Sequence, residues 1–194
     1  MTDISQIPEI TAAIRRSWPV GEESLAALAA VIDRCDFGKR QLLVRAGAAL
    51  GYAYFIEKGM TRSYWIVDGE EITTSFSIEG AIVFSMDELY YGRLSEEYVE
   101  TVEPVTVYAI AIGDLLRIME SDLDMANWGR VIHQHEYRRL HRSHKERLTL
   151  PAHERYAAFV GQFPQVCRRA RLSDIASYLG VTPSTLSRIR SCRN

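Results

Sequence analysis

The sequence predicts an α+β chain in three parts: a barrel or sandwich of short strands over residues 1–118, a long helix over 119–149, and an all-α helix-turn-helix over 150–194. Three observations predict it. Between Phe37 and Ile112 short apolar runs alternate at period two and are broken by turn residues, the text of antiparallel strands. From about Asp122 to Leu148 helical text runs without a proline until Pro151. Residues 172–190 then read as two short helices hinged on a glycine.

Taken in order, Ile10, Ile14, Leu25, Leu28 and Ile32 recur at helical spacing, and Trp18-Pro19-Val20-Gly21 interrupts them, so two short helices open the chain. Strands follow at Tyr54-Phe55-Ile56, ahead of Gly59, and at Tyr64-Trp65-Ile66-Val67. A turn at Asp68-Gly69 leads into Ile72, Thr74, Phe76 and Ile78 at period two. Asp-Gly suits a tight hairpin because both central positions want positive φ. Further strands are expected at Ala81–Phe84, Tyr98–Val102 and Val105–Ile112, and so many short strands argue for a barrel or sandwich. The long helix is on the order of 40 Å at ~1.5 Å per residue. Met125, Trp128, Ile132 and His135 are spaced 3, 4 and 3 apart along it, the seam of a parallel coiled-coil dimer. The same spacing also fits a helix laid on its own domain.

Bulk composition excludes several classes. With 47% apolar and 25% charged residues in 194, the chain can bury a real core. The longest uncharged run, Ile175–Ser187, contains polar and turn residues and falls short of the roughly 20 apolar residues that a membrane span needs. The start, Met1-Thr2-Asp3-Ile4, shows no basic and then apolar signal, so a cytoplasmic protein is expected. Cys35, Cys167 and Cys192 form no Cys-x-x-Cys pair, which argues against a zinc ribbon or a disulfide framework.

The strongest local motif runs from Leu172 to Arg190. Ala176 is small where two helices must approach closely, and Gly180 can take the positive φ that ends the first helix. Thr182-Pro183 reads as an N-cap followed by a first helical residue whose missing N–H costs nothing. Ile175, Leu179, Val181, Leu186 and Ile189 supply the shared core. Thr182, Pro183, Ser184, Thr185, Ser187, Arg188 and Arg190 are left to enter or flank a DNA major groove. Arg188 is the expected base reader, because a guanidinium grips guanine bidentately; Arg168, Arg169 and Arg171 suit phosphate contacts. Charge supports a polyanion partner: 21 of the 25 acidic residues and 10 of the 23 basic ones precede Trp128, leaving 4 acidic and 13 basic residues after it.

This order of parts resembles the Crp/Fnr superfamily of bacterial transcription regulators. The resemblance is carried by Tyr54-Phe55-Ile56-Glu57-Lys58-Gly59-Met60-Thr61-Arg62, which is similar to the opening of a cyclic-nucleotide-binding β-roll, and by Asp174-Ile175-Ala176 through Ser187-Arg188-Ile189. It implies that residues 1–118 form a jelly-roll-like double-stranded β-helix, and it implies a homodimer through the long helix, double-stranded DNA as partner, an effector pocket in the roll, and contact with RNA polymerase. Members that bind cyclic AMP carry a Gly-Glu pair for the ribose and an Arg-Ser/Thr-Ala segment for the phosphate. Here these positions align with Gly80-Ala81 and with Ser95-Glu96-Glu97. One carboxylate set 4 Å from the phosphate opposes binding by about 4 kcal/mol at an effective dielectric of 20, roughly half of a micromolar affinity. Cyclic AMP is therefore not the expected effector, and no cofactor is predicted. Tyr64, Phe76, Phe84 and Met86, with Ser95 and Glu96, are the candidate lining for an uncharged or hydrophobic effector. Ordinary core filling is the competing account. The recognition helix also departs from the cyclic-AMP receptor type, having Pro183-Ser184 where that type has Arg-Glu, so a different operator is expected.

Other constellations carry less. All five histidines, His133, His135, His141, His144 and His153, lie in or just after the long helix without a ligand-spaced partner, so no metal site is predicted. Their absence from the strands speaks against a cupin metalloenzyme. There is no phosphate-cradling glycine loop and no Gly-x-Ser-x-Gly elbow. Acidic pairs such as Glu70-Glu71 and Glu96-Glu97 point to opposite faces if they lie on strands. An enzyme is not expected. The alternative from a different class is a ligand-binding regulatory module whose helix-turn-helix serves protein contact without specific DNA binding.

Overall fold

The computed structural model describes residues 2–192 and divides into two compact units, Met1–Ser63 with Phe76–His135, and Tyr64–Ser75 with Glu136–Asn194. These units do not follow the breaks expected at residues 118 and 149. The β-hairpin segment 64–75 groups with the C-terminal helices, and the long helix is shared between the units. Met1, Arg193 and Asn194 lie outside the described residues.

The first unit opens with a 3-10 turn, Ile4–Gln6, capped by Asp3, and two helices, α1 (Pro8–Ser17) and α2 (Glu22–Ala30). Eight strands follow: β1 (Asp33–Phe37), β2 (Leu42–Val44), β3 (Tyr52–Lys58), β4 (Thr61–Val67), β5 (Glu70–Ser77), β6 (Ile82–Val83), β7 (Tyr98–Thr101) and β8 (Val105–Ala111). They form two four-stranded sheets in the orders β1-β8-β3-β6 and β2-β7-β4-β5. β3 pairs antiparallel with β8 in the register Phe55↔Tyr108, so alternate residues of both strands share a face. Tyr54, Ile56, Val107 and Ala109 point between the sheets and pack with Leu43, Val44, Val83 and Val99. Ala53, Phe55, Tyr108 and Ile110 point the other way, into a second core supplied by the helices. The expected alternation is thus the physical basis of a sheet buried on both faces.

Turn chemistry behaves as the residue types demand. Asp68 and Gly69 both have positive φ, 52° and 83°, as a tight hairpin connection requires. At Gly59, with φ +102°, a Cβ would lie 2.6 Å from Val105 Cγ1 and 2.7 Å from the Pro104 carbonyl oxygen, so only glycine fits between β3 and β4. Carboxylates serve as backbone caps: Glu57 of β3 accepts from the N–H groups of Glu9 (3.0 Å) and Ile10 (3.2 Å) at the start of α1. Burial pushes the Glu57 carboxyl up, opposed by these two hydrogen bonds.

Three elements had no readable sequence signal. β1 carries Asp33, Arg34 and Asp36 in five residues and is defined by its pairing with β8, from Asp33↔Ala109 to Phe37↔Val105. β2 has only three residues. The short helix α3 (Met86–Tyr91) is less than two turns long and is set by its ends: Ser85 caps it through Glu88 N–H, and Gly92 closes it with φ 60°. Its Glu88 carboxylate accepts from Leu50 N–H (3.1 Å) and from Gly51 N–H.

After β8 come α4 (Ile112–Ser121) and α5 (Leu123–Thr149), a helix of 27 residues. Asp122 accepts from Met125 N–H at 3.1 Å and caps the start of α5. The seam expected for a dimer needs correction. Met125 (0% exposed) and Trp128 (4%) belong to the interior of the first unit, with Trp128 stacked on Phe55 at 5.9 Å and Ile132 packed against the same core. The 3-4-3 spacing reflects a helix laid on its own domain, the alternative that spacing had left open; of the four residues only His135 is exposed. Sequence reading also missed the ion pair of Arg62 on β4 with Glu100 on β7 at 2.8 Å, where the arginine side chain is 2% exposed. Among the described residues no helix is long and apolar enough to cross a membrane.

Candidate nucleic-acid interface

The second unit holds the C-terminal part of α5 and four further helices, α6 (Ala152–Gln162), α7 (Pro164–Arg169), α8 (Leu172–Leu179) and α9 (Pro183–Ser191). Ile175, Ala176, Tyr178 and Leu179 of α8 are buried, as are Leu186 of α9, Phe159 of α6 and Val166 of α7. Phe159, Phe163 and Tyr178 form an aromatic trio with ring centroids 5.2 to 6.3 Å apart. This is the small core on which the outward faces are hung.

The turn between α8 and α9 is built as its residues dictate. Gly180 is left-handed (φ 66°, ψ 41°) and donates to the Ser177 carbonyl, while Val181 N–H donates to the Ala176 carbonyl at 3.0 Å. Thr182 has extended backbone, and its Oγ1 accepts from Thr185 N–H at 3.2 Å; Pro183 is the first helical residue. The Thr182 hydroxyl also sits 3.0 Å from Ser184 Oγ and 2.9 Å from Thr185 Oγ1, so its side chain serves the cap.

Beyond the cap, α9 turns Pro183, Ser184, Ser187, Arg188 and Arg190 outward, with Thr185 and Ile189 half-buried. No carboxylate lies on α9, and the one on α8, Asp174, is 5% exposed. Arg188 is exposed. Arg190 lies beside Cys167 of α7: burial pushes that thiol up, and the Arg190 guanidinium opposes the shift. Arg168 is exposed, and Arg169 and Arg171 are half-buried, Arg171 being the residue just ahead of α8. The outward face of α9 is therefore short, polar and cationic, with no anion of its own to repel a phosphate.

Two sets of contacts that hold α8 had no sequence signal, because the partners are far apart in the chain. Arg147 of α5 donates to the Tyr178 carbonyl at 2.7 Å, and Arg155 of α6 donates to the Leu179 carbonyl at 3.2 Å and to the Leu150 carbonyl at 2.8 Å. Ser177 Oγ accepts from Thr73 N–H (2.9 Å) and donates to the Glu71 carbonyl (2.8 Å), so the backbone of β5 grips the middle of α8.

Phe84 packs against the helical core, beside Tyr90 and His133, and Met86 is 51% exposed, so neither lies between the sheets. Tyr64 is buried and Phe76 half-buried. Ser95 is buried, with its hydroxyl donating to the Glu97 carbonyl at 2.9 Å, and Glu96 is exposed, its N–H donating to Asp87. Gly80-Ala81 precedes β6 and not the short helix; the residue at the start of α3 is Ser85. The ribose-binding carboxylate is absent at either placement.

Residues 34–122 match the cyclic nucleotide-binding domain family. Among solved structures, FixK2 from Bradyrhizobium japonicum is 22% identical, with 83% of each chain covered and a TM-score of 0.71. The c-di-GMP responsive global regulator CLP of Xanthomonas campestris is 15% identical, with 88% of this chain and 90% of that one covered, at 0.71. A chain from Eubacterium rectale assigned to the Crp/Fnr family is 14% identical, covering 90% and 85%, at 0.70. The fold is that of the Crp/Fnr regulators. No curated protein sequence matches the chain. The Crp/Fnr fold accounts for the roll, the long helix and the terminal helix-turn-helix as one arrangement of parts, as their order in the sequence had implied.

Proposed function

We propose that the chain is a homodimeric, DNA-binding transcription regulator of the Crp/Fnr type and not an enzyme. The observation that carries this reading is α9 itself: a capped helix on a small core, with Ser184, Ser187, Arg188 and Arg190 outward and no carboxylate on the helix. Arg188 is the base reader, and Arg168 with Arg171 supplies phosphate contacts. With Met125 and Trp128 committed to the interior, the dimer seam passes to the opposite side of α5. There Tyr137 (73% exposed), His141, His144 and Leu148 (73%) are spaced 4, 3 and 4 apart, with Leu140 beside them. The roll does not take cyclic AMP as a physiological effector. Ser95 and Glu96 stand where an arginine and a hydroxyl would receive the phosphate, Glu97 follows them, and Ser95 spends its hydroxyl locally. Calorimetry should show no micromolar heat of binding for cyclic AMP.

The test is binding to DNA fragments at two salt concentrations. Neutralising about 6 to 10 phosphates weakens binding by roughly 10³ to 10⁵ between 50 and 200 mM salt. A salt-insensitive chain that retains no DNA overturns this reading and favours a helix-turn-helix used for protein contact.

A further inference from the structure

An α-helix leaves its last four carbonyls without intrahelical partners, and the end of α8 accounts for all four. Ala176 and Ser177 are met by the backbone N–H groups of Val181 and Gly180. Tyr178 and Leu179 are met by two guanidiniums from elsewhere, Arg147 on the last turn of α5 and Arg155 on α6. Arg147 also lies over the Tyr178 ring, 5.5 Å from its centroid, and Arg155 reaches back to the carbonyl of Leu150, just past the end of α5. Cations at a helix C-terminus are favoured by its dipole, and a planar fork fixes direction as well as charge.

We propose that Arg147 and Arg155 are positioning residues for DNA recognition: together they fix the end of α8, and hence the turn that aims α9, in register with the end of the long helix. This rests on the DNA-binding reading above. Neither residue touches DNA in this account; each acts through the carbonyls of Tyr178 and Leu179. If α5 carries the dimer axis, the same two arginines set the separation of the two recognition helices and so the half-site spacing that the dimer accepts. The elements they join are separated by 31 and 24 residues in sequence, yet each contact is one side chain deep.

The experiment compares the full-length protein with Arg147→Gln, Arg155→Gln and Arg147→Lys. Hydrogen exchange in the absence of DNA should rise by about ten-fold or more over residues 176–182 in both Gln variants, as loss of a charged hydrogen bond requires, while β8 keeps its protection. Selection from DNA pools of varied half-site spacing should show a broadened preference and roughly ten-fold weaker binding to the best site, with non-specific binding changed by less than about two-fold. Arg147→Lys, which keeps the charge and one donor, should recover part of the spacing preference. Unchanged exchange over 176–182 overturns the proposal whatever the DNA result. So does raised exchange with spacing and affinity intact. So does a parallel loss of specific and non-specific binding, which marks a merely structural role. If either Gln variant loses protection in β8 as well, the Lys variant is judged by the same criteria. If the unmodified protein selects no DNA, the DNA-binding reading falls, and the positioning role falls with it.

Discussion

Replacing Gly180 by alanine isolates the backbone strain of the turn from any packing effect. Its φ is +66°, and a Cβ built there meets nothing within 4 Å. The cost is therefore the left-handed conformation alone, about 1 to 2 kcal/mol for a non-glycine residue. Alanine also stiffens the unfolded chain, which returns roughly 0.4 to 1 kcal/mol, so the net loss should be near 1 kcal/mol. Gly59 is the counterpart. At φ +102° its Cβ would stand 2.6 Å from Val105 Cγ1, 2.7 Å from the Pro104 carbonyl oxygen and 3.0 Å from Val105 Cα, two of them backbone atoms that cannot swing aside. Strain of about 1 to 3 kcal/mol and overpacking of about 1 to 3 kcal/mol then act together, giving a loss of about 3 kcal/mol or more. Urea unfolding followed by far-ultraviolet circular dichroism measures both. A loss above about 3 kcal/mol at Gly180, or equal losses at the two glycines, refutes this separation of strain from clash.

Other consequences follow from the same geometry. Trp128→Ala removes the ring stacked on Phe55 from a position 4% exposed and should cost about 3 to 5 kcal/mol in equilibrium unfolding; a loss under about 1 kcal/mol would place that face of α5 outside the core. Desolvation would raise the Asp122 carboxyl, but hydrogen bonds from Ser24 and from the Met125 and Asp124 N–H groups outweigh it and hold the group below its ordinary value of 3.8. Its stabilisation is present above pH 3.8 and is lost as pH falls through the lowered value. Asp122→Ala should thus cost about 1 kcal/mol at neutral pH and progressively less as pH falls below 3.8, as read by unfolding across that range. Of the thiols, exposed Cys192 should alkylate first at pH 8, while Cys35 and Cys167, whose thiols burial pushes up, react slowly; mass spectrometry reads the order.

The fold was legible wherever one residue's chemistry decides its local geometry. Asp68-Gly69 announces its turn, Gly180 its left-handed cap, and Thr182-Pro183 the start of α9, because each acts through its own backbone or that of a neighbour. Apolar strand text located β3 and β8, whose alternate residues enter different cores. β1 was illegible because its pairing with β8, not its side chains, makes it a strand. The seam on α5 misled because heptad spacing states that a helix has an apolar stripe and leaves open what covers it; here Phe55, Leu28 and their neighbours do. In the interface, outward residues of α9 were readable from the helical period. The contacts of Arg147, Arg155 and Ser177 were not, since each is a side chain meeting a backbone atom more than 20 residues away.

The central claim is that α9 reads DNA through Arg188. The direct measurement is selection of fragments from a random pool by the purified protein and by Arg188→Ala. The account predicts an inverted repeat with half-sites about 34 Å apart for the first, and for the second the loss of discrimination at one base pair per half-site, worth about 1 to 3 kcal/mol. An identical repeat selected with undiminished preference at every position by both proteins would contradict it.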